Sequence, residues 1–424
     1  MFQPYLLDGP CTTAWWAALE DLDRAVRAAD AAGALRAHAA VARALMTDGH
    51  ADVAEAVASA TLFGEGTWSQ QVARAHERGW TALLAPGAAR AAHADLQALA
   101  ALVRRDWQRD CQALVARSLP PWHELAPPSD EPDAAAAAAR QRMRGALLAG
   151  DVETAFRTLV DTASKAGAGP LARYRAFAWD GTGLRGIDLP AGAGLATLAG
   201  LERQLAALFA NVEAFMRGQP ALATLLYGPR GSGKSSAVRG LIERYGDRGL
   251  RLVELPVTHL ARLDDVVTNT LRQPRPVVLM LDDLAVDDGD AHSRPLKSLL
   301  EGSLLSRPDR VLVVATSNRR HLVRERHADR PDPLDGDVHA WDTHHERLAL
   351  ADRFGLTITF PGADRRAYLG IVRHLARFAG VEADEALEQR ALRFAAWGNG
   401  YSGRTARQFV DRERADMRET VERT

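Results

Sequence analysis

Hydrophobic positions in the first part of the chain recur at helical spacing. Leu19, Leu22 and Val26 lie three and four residues apart, as on one face of an amphipathic helix. Further Ala- and Leu-rich stretches, separated by glycines and by the Pro86-Gly87 pair, cover residues 34–46, 51–62, 69–84 and 88–117. The pattern predicts an all-α N-terminal region over 1–118. No fixed repeat period and no catalytic set of side chains is evident there, so a docking or scaffold role is expected.

The clearest composition change follows at residues 119–133, LPPWHELAPPSDEPD, where prolines and acidic residues predict a stiff, solvated linker. An alanine run then starts a predicted helix that continues to about 149, and 151–165 also has helical character. The aromatic and glycine-rich stretch after Gly167 has no clean period. Residues 134–195 are therefore expected to form a helical segment and an irregular lead-in to the next domain.

From residue 196 to 362 the pattern alternates between short apolar runs and helical stretches. The strand-like runs are 221–227, 251–256, 276–281, 310–316 and 355–360, and helical stretches at 234–245, 258–272 and 294–305 lie between them. Such alternation predicts an α/β domain with a parallel sheet covered by helices on both faces. Residues 363–424 return to a purely helical pattern and are expected to form a C-terminal helical lid.

The turn after the first of these runs fits the phosphate-binding spacing G-x-x-x-x-G-K-[ST]. Its residues are Gly228, Pro229, Arg230, Gly231, Ser232, Gly233, Lys234 and Ser235, with Ser236 next to them. Glycines let backbone amides approach an anion, and the following helix directs its positive end at the phosphates. Lys234 would contact the β- and γ-phosphates of ATP, and Ser235 would bind Mg²⁺. Because only positions 165, 234 and 297 are Lys among 53 basic residues, Lys234 is informative, whereas a chance glycine-rich turn is the alternative.

Two further apolar runs end in polar side chains. Residues 277–281 are followed by Asp282 and Asp283, and residues 311–317 are followed by Asn318. Mg²⁺ prefers hard oxygen ligands, so Asp282 is predicted to hold it through water, and Asp283 to polarise an attacking water. Asn318 would position that water or touch the γ-phosphate. The alternative is that the two acids are solvated loop residues and that the amide only caps its strand.

Residues 196 to 415 resemble an AAA+ ATPase. Gly228–Ser235 is similar to Walker A, residues 277–283 to Walker B, and Asn318 to sensor 1. Within the segment 348–360, LALADRFGLTITF, Arg353 occupies the place of the arginine finger. Residues 400–410 resemble sensor 2, with Arg404 the best match and Arg407 the second. The segment 198–204 is similar to the one that borders the adenine.

The resemblance implies Mg²⁺ and ATP as cofactors, and a homo-oligomer, in a ring or otherwise, in which Arg353 acts on a neighbour's ATP. An ion-paired surface arginine is the alternative. More narrowly, the chain resembles the uncharacterised bacterial DUF815 family of predicted ATPases. The resemblance is carried by RAFAWDG at 175–181, LLYGPRGSGKSS at 225–236, LDDL at 281–284, LKSLLEGSL at 296–304, ATSNRRHLV at 315–323, DGDVH at 335–339 and LADRFGL at 350–356.

Composition narrows the function classes only modestly. The net charge of −1 and the isoelectric point near 6.9 do not indicate nucleic acid as a partner. The two cysteines, Cys11 and Cys111, have no zinc or disulfide spacing. Neither a signal peptide nor a membrane span is apparent, so a cytoplasmic protein without a membrane partner is expected. Histidines between 319 and 346 match no metal motif, and this stretch is expected to be a long loop.

Two functions remain. The first is an ATPase that hydrolyses ATP to remodel an unidentified protein partner bound through the helical N-terminal region. The second is an ATP-gated scaffold or switch with little turnover. The second function is favoured by Asp283, which occupies a position where many AAA+ proteins carry Glu. The side chain of Asp is shorter, so its carboxylate extends less far from the backbone than that of Glu. The absence of an NKxD motif disfavours GTP, and the absence of an LSGGQ-like motif disfavours an ABC ATPase.

Overall fold

A computed structural model of the chain describes residues 3–78, 86–125, 133–188, 194–271, 274–284, 296, 300, 310–318, 353–398 and 400–422. Contacts between Cα positions divide the chain into two units. The helical unit comprises residues 1–175 with 272–275, and the α/β unit comprises 176–271 with 276–424. Most of the stretch predicted as helix 294–305, and all of the predicted loop 319–346, lie outside the described residues.

The helical unit begins with a 3₁₀ turn at Gly9–Thr12. Its α-helices are α1 (Ala14–Arg27), α2 (Ala31–Asp48), α3 (Val53–Phe63), α4 (Thr67–Arg78), α5 (Pro86–Val103), α6 (Trp107–Val115), α7 (Trp122–Leu125), α8 (Ala134–Ala149), α9 (Val152–Ala166) and α10 (Pro170–Arg173). Side chains of Asp30, Asp52 and Asp151 accept hydrogen bonds from the first-turn amides of α2, α3 and α9. These carboxylates accept hydrogen bonds from amides that have no acceptor within the helix. Their negative charge also interacts favourably with the positive end of the helix dipole.

The core of the helical unit extends past the predicted linker. Buried residues of α8 and α9, among them Met143, Leu147 and Leu159, belong to the same apolar cluster as α1 to α6. The contacts therefore divide the chain after Arg175, whereas the sequence predicted a division at 119–133. Small Ala side chains at one face of α8, including Ala136 and Ala139, are buried and allow this close packing. The predicted linker itself contains the short helix α7, and 126–132 lie outside the described residues.

Among the described residues, the α/β unit is built on a seven-stranded sheet. Its strands are β1 (Ala176–Trp179), β2 (Leu184–Ile187), β3 (Thr224–Tyr227), β4 (Arg251–Glu254), β5 (Val277–Leu281), β6 (Val311–Ser317) and β7 (Leu356–Thr359). The spatial order is β2-β1-β4-β5-β6-β3-β7, and every neighbouring pair is parallel except β1 with β2. β5 is buried along its whole length, as expected for a central strand covered on both faces.

The stretch predicted to be an irregular lead-in contains the antiparallel pair β1 and β2. Asp180 Oδ1 accepts hydrogen bonds from the Thr182 and Gly183 amides at 2.9 and 3.0 Å, and Gly181 has φ of +103°. An Asp side chain that bonds its own turn, followed by glycine with positive φ, is a strong turn signal. Each strand is only four residues long, and β2 is partly exposed throughout, so neither produced a recognisable hydrophobic period.

The helices of the α/β unit are α11 (Glu202–Met216), α12 (Lys234–Tyr245), α13 (Leu263–Leu271), α14 (Arg365–Ala379), α15 (Glu385–Trp397) and α16 (Gly403–Glu422). The last three surround an apolar cluster of their own, which includes Tyr368, Leu387 and Phe409. The predicted fold class is confirmed: an all-α N-terminal region precedes an α/β core and a C-terminal helical subdomain. None of the described helices combines the length and apolar character needed to cross a membrane.

Candidate functional site

The loop from Gly228 to Ser235 joins the end of β3 to the start of α12 at the carboxyl edge of the sheet. A Cβ at position 228 would overlap the carbonyl oxygen of Phe360, which follows β7. Gly231 and Gly233 have φ of +75° and +96°, a region that favours glycine. Gly233 is the N-cap of α12, a helix of 12 residues, so the loop lies at the positive end of a helix dipole. The local structure is therefore suited to bind an anion.

Lys234 lies in the first turn of α12, and its ammonium group is turned back onto the loop. Its Nζ donates hydrogen bonds to the carbonyls of Gly228 (2.6 Å) and Pro229 (2.9 Å) and to Oδ1 of Asn318 (2.9 Å). Burial lowers the pKa of Lys234 below its ordinary value, and the negative charges of Asp283 and Asp282 oppose that shift. A single cation thus links the loop after β3 to the polar residue after β6.

Asp282 immediately follows β5 and accepts hydrogen bonds from two hydroxyl groups. Its Oδ1 lies 2.6 Å from Ser235 Oγ and 2.7 Å from Thr316 Oγ1. Its Oδ2 lies 3.5 Å from Nη2 of Arg239, one helical turn beyond Ser235. The first turn of α12 and the ends of β5 and β6 therefore meet at one carboxylate.

Asp283 has φ of +54°, a left-handed conformation that non-glycine residues rarely adopt. Its amide donates to Thr316 Oγ1 at 2.9 Å, and its Oδ1 accepts from Asn318 Nδ2 at 2.5 Å. Nη2 of Arg230 approaches its other carboxylate oxygen to 3.8 Å. These contacts hold the second carboxylate next to Asn318, at the same edge of the sheet as the glycine-rich loop.

These residues line one side of a cavity of about 940 Å³. The segment 197–201 forms a second wall, and residues of α14 and of the turn before α16 complete it. The Gly403 amide donates to the Gly231 carbonyl at 3.0 Å, and His374 Nε2 lies 2.6 Å from the Ala196 carbonyl oxygen. The C-terminal helices therefore contact both the loop and the opposite wall of the cavity.

Most of the residues predicted from the sequence are brought together here. The predicted residues that line the cavity are Pro229, Arg230, Gly231, Ser232, Gly233, Lys234, Ser235, Ser236, Asp282, Asp283, Asn318 and Arg404. Gly228 takes part through its carbonyl oxygen. Arg353 lies three residues before β7 and is not among the described residues that line the cavity. Arg407 does line it, and so do Leu198 and Leu201 from the segment expected to border the adenine.

Sequence reasoning missed Thr316, Arg239 and His374, which also line the cavity. Two of them had a recognisable signal. Thr316 and Asn318 are two residues apart at the end of a strand and so share a side of the sheet. Arg239 is four residues after Ser235, and a helix places such residues on one face. His374 had no signal, because only the packing of α14 against the segment 197–201 directs it to the cavity.

The structure combines an α/β core, a glycine-rich loop at the start of α12 and a C-terminal helical subdomain, the arrangement that the resemblance to AAA+ ATPases predicts. Residues 172–417 match the family described as "Protein of unknown function (DUF815)". Because this match covers more than half of the 424 residues, the chain belongs to the DUF815 family, and the prediction of that family is confirmed.

Solved structures give partial similarities. The RuvB Holliday junction branch migration motor of Thermotoga maritima is 17% identical over 54% of this chain and 66% of that chain, with a TM-score of 0.38. AMPPCP-bound DnaA from Aquifex aeolicus is 16% identical over 53% of this chain and 67% of that chain, with a TM-score of 0.33. The chain thus spans slightly less than two thirds of the RuvB structure.

Proposed function

We propose that this protein binds Mg-ATP in the cavity and hydrolyses its terminal phosphoanhydride bond. The observation that carries the proposal is the convergence of Lys234, Ser235 and Asp282 on one glycine-rich loop at a helix N-terminus, with Asn318 bonded to the same lysine. A cation, a hydroxyl group, a carboxylate and the backbone amides of a glycine-rich loop are the groups that a triphosphate with its metal ion requires.

The residues present fit Mg²⁺. The metal prefers oxygen ligands and keeps several waters, so one or two protein ligands with substrate phosphates are sufficient. Ser235 Oγ and Asp282 Oδ1 are already 2.6 Å apart and supply such oxygens. Among the described residues, no group of three or more His, Cys, Asp or Glu side chains could hold a metal alone. When bound, Mg²⁺ would neutralise charge on the phosphates.

The chain's own residues have separate roles in this proposal. The loop amides and Lys234 bind the phosphates, and Arg404 reaches them from the C-terminal subdomain. Asn318 and Asp283 share a hydrogen bond and would position the attacking water. A carboxylate next to an amide can accept a proton from water while the amide fixes the water's direction. The walls formed by residues 197–201 and α14 would exclude bulk solvent from the base and phosphates.

Arg353 enters the proposal only through a second subunit. It does not line the cavity of its own chain as far as the structure describes it, and an arginine finger supplied by a neighbour would stabilise charge during transfer. We therefore propose a homo-oligomer, with an unidentified protein partner bound through the helical unit and hydrolysis driving its remodelling. A DNA-loading role is a narrower variant that the chain's near-neutral charge does not favour.

The alternative proposal is an ATP-gated switch with little turnover. It is supported by Asp283, whose carboxylate is bonded to Asn318 and paired with Arg230, and whose backbone is left-handed. A base held in this way must exchange its partners before it can accept a proton from water. The switch would bind ATP as a hydrolase does and cleave it slowly.

The two proposals are separated by measuring binding and turnover on the same samples. We expect Lys234→Ala and Asp282→Ala to abolish ATP turnover, and Lys165→Ala, which removes an exposed lysine of the helical unit, to leave it unchanged. Wild-type turnover equal to that of Lys234→Ala, with nucleotide still bound, would overturn the hydrolase and favour the switch. No detectable binding of ATP by the wild type would contradict both.

A further inference from the structure

Arg239 stands between two carboxylates at the edge of the proposed nucleotide site. Its Nη2 lies 3.1 Å from both oxygens of Glu254, the last residue of β4, and its Nε lies 3.4 Å from Oε2. The same Nη2 is 3.5 Å from Oδ2 of Asp282. Arg239 also lines the cavity, whereas Glu254 is not among the described residues that do. The guanidinium group of Arg239 is thus shared between Asp282, which lines the cavity, and Glu254, which lies outside the described lining.

The two oxygens of the Asp282 carboxylate have different partners, and one of them faces the positive charge of Arg239. Oδ1 already accepts from two hydroxyl groups, Ser235 and Thr316, whereas Oδ2 faces Arg239. The three charged side chains are between 29% and 41% exposed, so they are neither fully screened by water nor fully buried. A positive charge in this position attracts phosphate and repels a divalent cation. A negative charge has the opposite effects.

We propose that Arg239 is a positioning residue that serves as a permanent counter-ion of Asp282, is shared with Glu254, and sets how strongly nucleotide binding depends on Mg²⁺. This inference rests on the proposed binding of ATP in the cavity. With Arg239 in place, the site holds a phosphate chain even when little metal is present. Glu254 limits this effect because it withdraws the guanidinium group from Asp282.

The proposal gives opposite signs for two variants that each remove one charge. Arg239→Gln leaves Asp282 and Glu254 without their shared cation, so metal-free ATP should bind about tenfold more weakly and the gain on adding Mg²⁺ should rise. Glu254→Gln releases Arg239 toward Asp282, so metal-free ATP should bind more tightly and the gain should shrink. The double variant should resemble Arg239→Gln, because Glu254 acts through Arg239 and has no guanidinium group to withdraw once Arg239 is replaced.

The experiment measures the affinity of the full chain for a fluorescent ATP analogue in EDTA and across a series of Mg²⁺ concentrations. Arg248→Gln and Glu213→Gln are the matched controls, because they break a comparable ion pair of the same unit whose members do not line the cavity. These controls should leave the ratio of the two affinities unchanged. Because Gln is nearly the same shape as Glu, Glu254→Gln tests the charge with little risk to folding.

Shifts of opposite sign for Arg239→Gln and Glu254→Gln, with a double variant that behaves like Arg239→Gln, would support the counter-ion role. Shifts of the same sign, or ratios equal to those of the control pair, would overturn it while wild-type binding still stands. If the wild type binds no more analogue than Lys234→Ala does, the proposed function fails and this inference fails with it. The two failures are therefore distinguishable in one data set.

Discussion

Thr316 is the residue through which the two acids after β5 are fixed to β6. Its Oγ1 donates to Asp282 Oδ1 at 2.7 Å and accepts from the Asp283 amide at 2.9 Å, and the residue is 1% exposed. Thr316→Val keeps the shape and removes both hydrogen bonds. The Asp283 amide then loses its acceptor, and its left-handed backbone loses the contact that holds it.

The magnitude follows from the hydrogen bond that the Asp283 amide donates. Losing this partly buried hydrogen bond costs about 0.5–1.5 kcal/mol, so the local opening that exposes the Asp283 amide should become easier by that amount. This corresponds to hydrogen exchange at that amide that is about 2- to 12-fold faster. ATP turnover should fall about 10- to 100-fold, because Asp282 and Asp283 would no longer be held in place. Thr316→Ser retains the hydroxyl group and should stay near the wild type in both measurements.

The assay is hydrogen–deuterium exchange followed by mass spectrometry of peptides that span residues 278–284, with turnover measured on the same preparations. Peptides from α9 of the helical unit serve as an internal control and should exchange at equal rates in all three proteins. Exchange of the Thr316→Val peptide at the wild-type rate would refute the reasoning, because an amide without its acceptor must open more readily.

Two further predictions concern the helical unit and the oligomer. Burial and the positive charges of Arg173 and Arg140 lower the pKa of His50 from 6.5 to about 4, whereas Asp52 opposes this shift. As the pH falls, the unfolded chain therefore takes up a proton at this residue before the folded chain does. The free energy of unfolding should therefore fall between about pH 6.5 and 4, by about 2 kcal/mol at pH 5. His50→Gln should lack this part of the loss. The measurement is urea unfolding followed by tryptophan fluorescence at pH 7 and at pH 5. An equal fall in wild type and variant would contradict it. Mixing Arg353→Ala with Asp283→Asn subunits should restore turnover if the finger acts between subunits, and no recovery in co-assembled mixtures would count against that role.

The local pattern was sufficient to predict the type of most elements. Five of the seven strands followed from short apolar runs, and α8, α9 and α12 were predicted within about two residues. The glycine-rich loop was identified because the chemistry of phosphate binding dictates both its residue types and their spacing. The polar residues Asp282, Asp283 and Asn318 were identified because parallel strands bring their carboxyl ends to one edge.

Other features depended on contacts that no local pattern encodes. The division after Arg175 depends on how α8 and α9 pack into the helical core, which their amphipathic character alone leaves open. The pair β1 and β2 exists because β1 joins β4 in the sheet, since an isolated hairpin of four-residue strands is marginal. The ion pair between Arg239 and Glu254 depends on the register of β4 beside β5, because this register places Glu254 next to the site.

The sequence by itself therefore determined the glycine-rich loop, the alternation of strands and helices, and the DUF815 resemblance, because each depends on residues close together along the chain. Only the tertiary structure decided that Thr316 joins the two acids, that Lys234 is bonded to Asn318, and that Arg239 is shared between Asp282 and Glu254. These contacts join residues up to 84 positions apart. They arise because a parallel sheet gathers the ends of strands that are distant in sequence, and the burial of the sheet's core fixes that order.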